Sequence, residues 1–272
     1  MDLDNHVVAI TGAAGGIGSA LGRSFAAQGA RLALLDREGA GVLALAERLA
    51  AGGTQTLGLA CDVTDPESCT RAFAAVEERF GGIDVLVNNA GITHVGPVAE
   101  TQVSVLRAVM DVNFFGAVHC TQAALPSLLA RQGMVVVLSS IAGFAPLAGR
   151  AGYAASKHAL HGLFESLRVE CREAGLRVLL VCPGFTDTGI AAAALGPDGG
   201  PPRQVRTTTG RVATPDQVAR AIVRAVQRNR RQIVLSPVGH ASYWLTRLAP
   251  SLYERMMARR LLSDPKPAPP HR

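Results

Sequence analysis

VVAITGAAGGIG, residues 7–18, is the stretch that decides the fold of this 272-residue chain. Its first five residues form a mostly apolar run, which is typical of a strand buried on both faces of a sheet. A loop with four glycines follows and opens directly into a helical pattern. Glycine allows a tight turn and a close approach of the backbone to a ligand, while the helix N-terminus offers N–H donors and partial positive charge. We therefore predict a strand, a loop and a helix that together bind the phosphates of a dinucleotide.

The same alternation of short apolar runs and helical patterns continues along the chain. Apolar strands separated by helices predict a parallel sheet covered on both faces, and hence an α/β fold of the doubly wound type. Strands are predicted at 7–11, 31–36, 56–61, 83–87, 134–139, 177–182 and 232–235, and helices at 16–28, 40–51, 64–80, 101–110, 113–131, 153–174 and 215–229.

The chain divides into one domain and a helical extension. We assign residues 1–236 to a single dinucleotide-binding catalytic domain and residues 237–263 to the extension, whose pattern breaks near Pro250. Residues 264–272 are rich in proline and are predicted to be disordered. The apolar and basic residues of the extension suit a subunit contact, a cover over an apolar substrate pocket or an anionic membrane surface. We favour packing on the protein and keep membrane binding as the alternative.

The composition narrows the class of protein. Aromatic residues make up 4% of the chain and no basic run is interleaved with them, which argues against nucleic-acid binding despite a net charge of +6. The five cysteines lack metal-ligand spacing, so we expect reduced thiols, no metal site and a cytoplasmic protein. The acidic residues 1–5 are not typical of a signal peptide, and we expect no segment long enough to cross a bilayer.

Charged residues after the second and third strands indicate which dinucleotide binds. Asp36 ends the second strand, 18 residues after the last glycine of the loop. An acid at this position accepts hydrogen bonds from ribose hydroxyls and repels a 2′-phosphate, which favours NAD. Arg37 could pair with a 2′-phosphate, so NADP stays open. Asp62 and Val63 are placed to meet the adenine, and Asp62 could equally cap the following turn.

Tyr153 and Lys157 lie four residues apart and therefore one turn apart on one face of a predicted helix. A lysine ammonium at roughly 4 Å, with an effective dielectric of about 20, stabilises a phenolate by about 4 kcal/mol, or ~3 pKa units. That shift would bring the tyrosine into the range of acid–base catalysis. An ordinary pair on a helix surface is the alternative. Lys157 and Lys266 are the only lysines in a chain that otherwise uses arginine, which favours a specific role for Lys157.

Six motifs stand in one order along the chain: Thr11-Gly-x3-Gly16-Ile-Gly18, Asn88-Asn89-Ala90-Gly91, Asn113, Ser139-Ser140, Tyr153-x3-Lys157 and Pro183-Gly184-x3-Thr188. Over residues 6 to about 236 the chain thereby resembles the short-chain dehydrogenase/reductase family. The resemblance implies a Rossmann-like sheet of seven parallel strands, a nicotinamide cofactor, and assembly as a homodimer or homotetramer.

The resemblance also implies catalytic roles. Tyr153 would donate or accept the proton at the substrate carbonyl or carbinol, and Lys157 would bind the nicotinamide ribose and lower the tyrosine pKa. Asn113 would hold a water that links Lys157 to solvent. The family spacing of thirteen residues before the tyrosine selects Ser140, and not Ser139, to hydrogen-bond the reacting oxygen.

The cofactor-binding residues are predicted on the same grounds. Asn89, Ala90 and Gly91 would flank the adenine side, while Thr188 and the backbone around Thr186 would meet the pyrophosphate and the nicotinamide amide. The complete predicted set is Gly12, Gly15, Gly16, Ile17, Gly18, Asp36, Arg37, Asp62, Val63, Asn89, Ala90, Gly91, Tyr153, Lys157, Pro183, Gly184, Thr186 and Thr188.

Substrate contacts are predicted at Ser140, Tyr153 and His94, with a polar loop histidine as the alternative reading of His94. Residues from about 189 to 214 are predicted to form a lid. The lid arginines, Arg203, Arg206 and Arg211, could recognise an acidic substrate, and solvated loop charge is the alternative.

The predicted function is an NAD(P)-dependent oxidoreductase that interconverts a secondary alcohol and a ketone on a small-molecule substrate. The substrate is expected to be apolar (lipid-, steroid- or retinoid-like) or a small ketone. An NADPH-dependent 3-oxoacyl thioester reductase is the first alternative. A non-catalytic nucleotide-sensing protein is the second, and the intact set of catalytic residues argues against it.

Overall fold

The structure is a computed structural model that describes residues 1–202 and 212–263. Within them, strands and helices alternate as the sequence predicts. The strands are β1 (Val7–Thr11), β2 (Arg31–Asp36), β3 (Thr56–Ala60), β4 (Val85–Asn88), β5 (Met134–Leu138), β6 (Arg177–Cys182) and β7 (Gln232–Val234). The helices are α1 (Gly16–Ala26), α2 (Gly39–Ala51), α3 (Pro66–Phe80), α4 (Val103–Met110), α5 (Gly116–Ala130), α6 (Ala151–Glu170), α7 (Pro215–Gln227), α8 (Pro237–Leu248) and α9 (Pro250–Ser263).

The seven strands form one parallel sheet in the order β3-β2-β1-β4-β5-β6-β7. The strand order reverses where the chain leaves β3 and returns to pair β4 with β1. Ligands of open α/β sheets bind at the carboxyl ends of the strands beside such a reversal. The predicted doubly wound, seven-stranded α/β fold is confirmed.

Both faces of the sheet are buried by helices. Every residue of β1 is buried. Val8 and Ile10 pack with α1 and α7 on one face, whereas Val7 and Ala9 pack with α3, α5 and α6 on the other. Alternate side chains of a strand point to opposite faces, so a strand covered on both sides must be apolar at each position. This accounts for the uninterrupted apolar runs in the sequence.

Helices α4 and α5 are joined by a five-residue π-helical turn, Asp111–Phe115, into one continuous helix of 28 residues, Val103–Ala130. By length and composition this helix could cross a membrane, so the expectation that no segment is long enough was wrong. The charges around the turn make the stretch read as two shorter patterns in the sequence. Cys120 and Leu128 are among its buried residues and pack in the core beneath the sheet. A helix that lies against a sheet needs the same apolar side chains, so its composition decides nothing about membranes.

Several predicted boundaries shift by a few residues, among them the start of β4 and the end of α6. β4 begins at Val85 and not at residue 83, because the carboxylate of Asp84 takes the place of a backbone partner: its Oδ2 accepts from the Val7 N–H at 2.8 Å. Arg131 Nη1 lies 3.2 Å from Asp84 Oδ1 and balances the buried charge. The last predicted turn of α6 is not helical, since α6 ends at Glu170 and a turn leads into β6.

The helical extension consists of α8 and α9. Ser236 caps α8, with its Oγ accepting from the Gly239 N–H at 2.9 Å. The break before α9 falls at Pro250, as predicted.

Several predictions fall outside the described residues. Arg203, Arg206 and Arg211 of the predicted lid do so, as does the tail at 264–272. All five cysteines are described, and all are free thiols.

Candidate active site

The loop after β1 is held by hydrogen bonds from the end of β4. Asn89 Nδ2 donates to the carbonyl oxygens of Thr11 at 2.9 Å and Gly12 at 3.0 Å. In return, Thr11 Oγ1 accepts from the backbone N–H groups of Asn89 at 3.0 Å and Ala90 at 3.1 Å. Because these groups tie the loop to β4, the loop presents a fixed surface to a ligand.

Three loop glycines occupy positions where no side chain fits. Gly12 has a φ of +63°, and a Cβ there would lie 2.8 Å from the Ala90 Cα. A Cβ on Gly18 would overlap the Gly12 carbonyl oxygen, and one on Gly16 would lie 2.9 Å from the Thr188 Cα. The backbone alone therefore forms a cradle at the start of α1, which fits the pyrophosphate of a dinucleotide.

A cavity of about 460 Å³ runs along this cradle to the end of β2. There the Asp36 carboxylate accepts from the N–H groups of Ala14 at 2.8 Å and Glu38 at 3.1 Å, which leaves further lone pairs for ribose hydroxyls. The walls of this cavity include most of the predicted cofactor-binding residues: Gly12, Gly15, Gly16, Ile17, Gly18, Asp36, Arg37, Asp62, Val63, Asn89, Ala90 and Gly91.

Asp62 both accepts local hydrogen bonds and borders the cavity. Its Oδ1 accepts from Thr64 Oγ1 at 2.7 Å and from the Thr64 N–H at 2.9 Å. These hydrogen bonds lower the pKa of Asp62, the one from the hydroxyl most. Asp62 thus caps the turn that leads to α3 while it also borders the cavity.

The two serines that follow β5 have different surroundings. Ser139 is buried; its Oγ lies 3.4 Å from the carbonyl oxygen of Lys157, to which it donates, and 3.0 Å from His161 Nε2. Ser140 is half-buried at the cleft, and its Oγ accepts from the Ala142 N–H at 3.1 Å. A hydroxyl that accepts this bond still has its own proton to donate.

Tyr153 and Lys157 project from one face of α6 into the same cleft. Lys157 Nζ lies 5.6 Å from the centroid of the Tyr153 ring and donates to the carbonyl oxygen of Leu138 at 2.7 Å. The lysine is only 5% exposed, and burial lowers its pKa from 10.5 to about 8. Burial disfavours the charged ammonium, so a ligand oxygen that accepts a hydrogen bond from Nζ would raise the pKa again and favour the charged form.

Asn113 lies on the π-helical turn and is buried. Its Nδ2 donates to the Ile92 carbonyl at 3.0 Å and to Ser156 Oγ at 2.9 Å, and its Oδ1 accepts from the Ile92 N–H at 2.8 Å. A Cβ added to Gly91 would lie 3.2 Å from Asn113 Oδ1 and 3.7 Å from Lys157 Nζ. The absence of a side chain at Gly91 therefore lets both polar atoms lie close to its backbone. Such π-helical turns are frequent at functional sites.

The structure places His94 in the loop after β4, with its side chain buried in the protein. The side chain is 0% exposed and is not among the residues that line the cavity, whereas the position in the loop is the one that the alternative interpretation predicts, with the ring buried. Neither ring nitrogen has a hydrogen-bond partner in the described part of the chain. Burial, and then the charge of Arg150, lower the pKa of His94. Its backbone pairs with Leu195, which fastens the segment after β6 to the loop after β4.

A second cavity, of about 400 Å³, adjoins the first. Ser140, Tyr153 and Lys157 lie in its wall, together with Pro183, Gly184, Thr186 and Thr188. Five residues border both cavities: Ile17, Asn89, Gly91, Thr188 and Ile190.

Most of the other residues that line this cavity were not predicted from the sequence. Helices α8 and α9 supply one wall with Ala241, Ser242, Leu245, Tyr253, Met256 and Met257. Their apolar pattern was the available signal, and it allowed a pocket cover. Arg150 is also in the wall, buried, with its Nη1 donating to Thr93 Oγ1 at 3.3 Å. No sequence signal marks it, because the burial of an arginine depends on tertiary packing.

The two adjoining cavities define the class of protein. One combines a phosphate cradle with an acidic residue for a ribose, and the other combines a tyrosine with a buried lysine, as hydride-transfer chemistry at a carbon–oxygen bond requires. That class is the nicotinamide-dependent oxidoreductases. The sequence pattern of the short chain dehydrogenase family matches residues 6–196, and the chain belongs to the short-chain dehydrogenase/reductase family.

Known relatives agree in sequence and structure. Dehydrogenase/reductase SDR family member 7B of Bos taurus is 38% identical over 270 residues, covering 96% of this chain and 83% of the relative. A short chain dehydrogenase/reductase from Burkholderia phymatum in complex with NAD has a TM-score of 0.82 at 26% identity and covers 100% of this chain and 99% of its own. An alcohol dehydrogenase from the archaeon Thermococcus sibiricus complexed with 5-hydroxy-NADP has a TM-score of 0.75 at 27% identity, over 85% of this chain and 96% of its own. The cofactor is therefore NAD or NADP.

Proposed function

We propose that this chain interconverts a secondary alcohol and a ketone on an apolar molecule, with NAD as cofactor and Tyr153 as general acid and base. One observation carries the proposal. Ser140, Tyr153 and Lys157 border a cavity that adjoins the cofactor cradle and is otherwise largely apolar. Polar groups at one end of an apolar pocket orient one oxygen, while the walls recognise the rest of the molecule.

The chain's own residues manage the substrate oxygen and its proton. When bound, the nicotinamide supplies the transfer of a hydride to or from the substrate carbon. Ser140 Oγ accepts from the Ala142 N–H and so donates its proton to the substrate oxygen, which stabilises negative charge there. The Tyr153 hydroxyl gives a proton to that oxygen during reduction and takes it during oxidation.

Lys157 and Asn113 support the tyrosine. A protonated Lys157 near the ring favours the phenolate, and its bond to the Leu138 carbonyl fixes the position of Nζ. Lys157 Nζ and Asn113 Oδ1 both lie close to the Gly91 backbone, so a water between the two atoms would connect them. This is the proposed route for the proton to solvent.

NAD is the proposed cofactor because of the charge at the end of β2. The Asp36 carboxylate borders the cradle and would repel a 2′-phosphate. Arg37 borders the same cavity and keeps NADP as the alternative.

The proposed substrate class follows from the apolar side chains that line the second cavity. Ile141, Leu147, Leu245 and the methionines of α9 surround the cleft with apolar side chains. In this proposal, residues 1–236 are the catalytic unit and residues 237–263 cover its substrate pocket. A 3-oxoacyl thioester reductase remains the second candidate, favoured by the length of apolar wall that α8 and α9 add.

A panel of secondary alcohols and ketones, offered with NAD(H) and NADP(H) and followed by nicotinamide absorbance, tests the proposal. We expect turnover to increase with the apolar size of the substrate and to be faster with NAD(H). A panel in which only acyl thioesters react, with NADPH, would favour the second candidate instead.

A further inference from the structure

Helices α8 and α9 have two chemically different faces. The inner face lines the substrate cavity, as described above. The outer face leaves three large apolar side chains in solvent: Trp244 is 59% exposed, Leu248 77% and Leu252 52%. We call these three residues the outer ridge. Large apolar residues that cluster in solvent at one place mark an interaction surface.

The ridge stands in basic surroundings. Residues 237–263 contain four arginines and one acidic residue, Glu254. Arg247 lies next to the ridge and is held with its guanidinium 3.7 Å from the centroid of the Tyr243 ring, while Arg255 and Arg259 are exposed on α9. Tyr243 in turn packs edge-on against Trp244, with ring centroids 5.5 Å apart. The face therefore joins an aromatic and aliphatic surface to an excess of positive charge.

The ridge and the substrate cavity meet on α9, where Leu252 of the ridge lies one helical turn from Met256 of the cavity wall. Val238 and Met256 line the cavity and are also 41% and 44% exposed. Both belong to the same two helices as the ridge. An apolar molecule that arrives along this face would meet apolar side chains from the surface to the cleft.

We propose that the outer ridge docks α8 and α9 on an anionic lipid membrane, so that the substrate cavity opens toward the bilayer. Tryptophan and leucine beside arginines are the residues of helices that lie in a membrane interface. Docking on a membrane goes beyond the proposed function. The entry of a lipid substrate from the bilayer, in contrast, rests on the proposed function.

A second copy of the chain fits this face less well. In a two-fold contact the same patch meets itself, so the arginines of one ridge would approach those of the other. Glu254 alone would have to balance them. Interface cores are also poor in charged residues, whereas anionic headgroups neutralise such charges.

Trp244 is the only tryptophan of the chain, and it reports on the ridge directly. The full chain is mixed with vesicles of phosphatidylcholine alone or with phosphatidylglycerol. We expect co-flotation with the anionic vesicles, an emission shift to shorter wavelength, quenching by brominated acyl chains, and weakening of all three by salt. Protein that stays free of anionic vesicles at low salt would overturn the proposal.

Variants distinguish a membrane from a second copy of the chain as the partner of the outer ridge. The double variant Leu248→Ser/Leu252→Ser keeps Trp244 and should bind anionic vesicles at least about tenfold more weakly. The control Val98→Ser/Val169→Ser removes two valines that are equally exposed elsewhere and should bind like the wild type. An emission shift that depends on protein concentration alone, with a dimer in sedimentation, would assign the ridge to a second copy and refute the membrane. No substrate or cofactor enters this assay, so its failure leaves the proposed oxidoreductase function untouched.

Discussion

Lys157 on α6 donates a 2.7 Å hydrogen bond to the carbonyl oxygen of Leu138, the last residue of β5. Ser140 follows two residues after Leu138, and Tyr153 lies one turn before Lys157 on the helix. One buried bond therefore fixes the helix that carries the tyrosine against the strand that leads to the serine. The relative position of the two hydroxyls that we propose to bind the substrate depends on it.

The same burial makes stability depend on pH. Lys157 has a pKa of about 8 in the folded chain against 10.5 in the unfolded one. Between these values the unfolded chain holds a proton that the folded chain lacks, so the free energy of unfolding rises as the pH increases through this window. The full effect is about 3 kcal/mol. Three buried thiols, Cys61, Cys69 and Cys182, have raised pKa values and lower the stability of any variant as the pH rises, so the comparison with Lys157→Met isolates the lysine. In urea unfolding of the ligand-free proteins, the stability of the wild type relative to Lys157→Met should rise between about pH 7.5 and about pH 10; a difference that stays constant would refute it.

Replacing Asp36 should change the choice of cofactor. Asp36→Asn keeps an oxygen for the Ala14 N–H but removes the charge that repels a 2′-phosphate. We expect the ratio of NADPH to NADH affinity to rise about tenfold, or about 1.4 kcal/mol. Fluorescence titration of both cofactors measures it, with Arg37→Ala as a control that should move the ratio the other way. A wild type that already prefers NADPH would contradict the assignment of NAD.

Gly12 should not tolerate a side chain. Gly12→Ala combines a left-handed φ of +63° with a Cβ only 2.8 Å from the Ala90 Cα. We expect a loss of at least about 2 kcal/mol in the free energy of unfolding, together with weaker cofactor binding. Gly53→Ala is the matched control, since Gly53 has a φ of +89° and nothing within 4 Å of the added Cβ. Its loss should be about 1 kcal/mol with cofactor binding unchanged.

The buried His94 should make the protein sensitive to acid. Its pKa is lowered in the folded chain, so acidification protonates the unfolded chain first and reduces stability as the pH falls below about 6.5. His94→Leu removes two ring nitrogens that have no partner among the described residues and should flatten this decline. Thermal unfolding between about pH 5 and pH 7.5 tests it, with His158→Leu on the same protein as the comparison. An unchanged acid limb in His94→Leu would show that other groups cause the decline.

The sequence was sufficient for the fold because the physical signal is local. A strand such as β1 is apolar at every position except its last, Thr11, since helices cover both of its faces, and the glycines that follow it are required by close backbone contacts. The misplaced start of β4 has a distant cause, the bond between Asp84 and Val7. The π-helical turn likewise holds Asn113, whose side chain bonds to Ile92 and Ser156, and no local pattern reveals these distant partners.

The site was predictable where it consists of motifs and not where it consists of packing. Tyr153, Lys157 and Ser140 were located by spacing. The burial of His94 could not be read from the sequence because its neighbours are distant along the chain: its backbone pairs with Leu195 and its ring lies beside Gly152. The walls supplied by α8 and α9 follow from the way these helices fold back on the cleft, which their amphipathic pattern permits but does not dictate.

The central claim is that the Tyr153 hydroxyl moves the proton in the reaction. Tyr153→Phe keeps the ring against Lys157 and removes only that hydroxyl. With the best substrate of the alcohol and ketone panel, turnover should fall about 10³-fold while NADH titration by fluorescence gives affinity within about twofold of wild type. Turnover equal to that of the wild type, with the cofactor bound as tightly, would contradict the account.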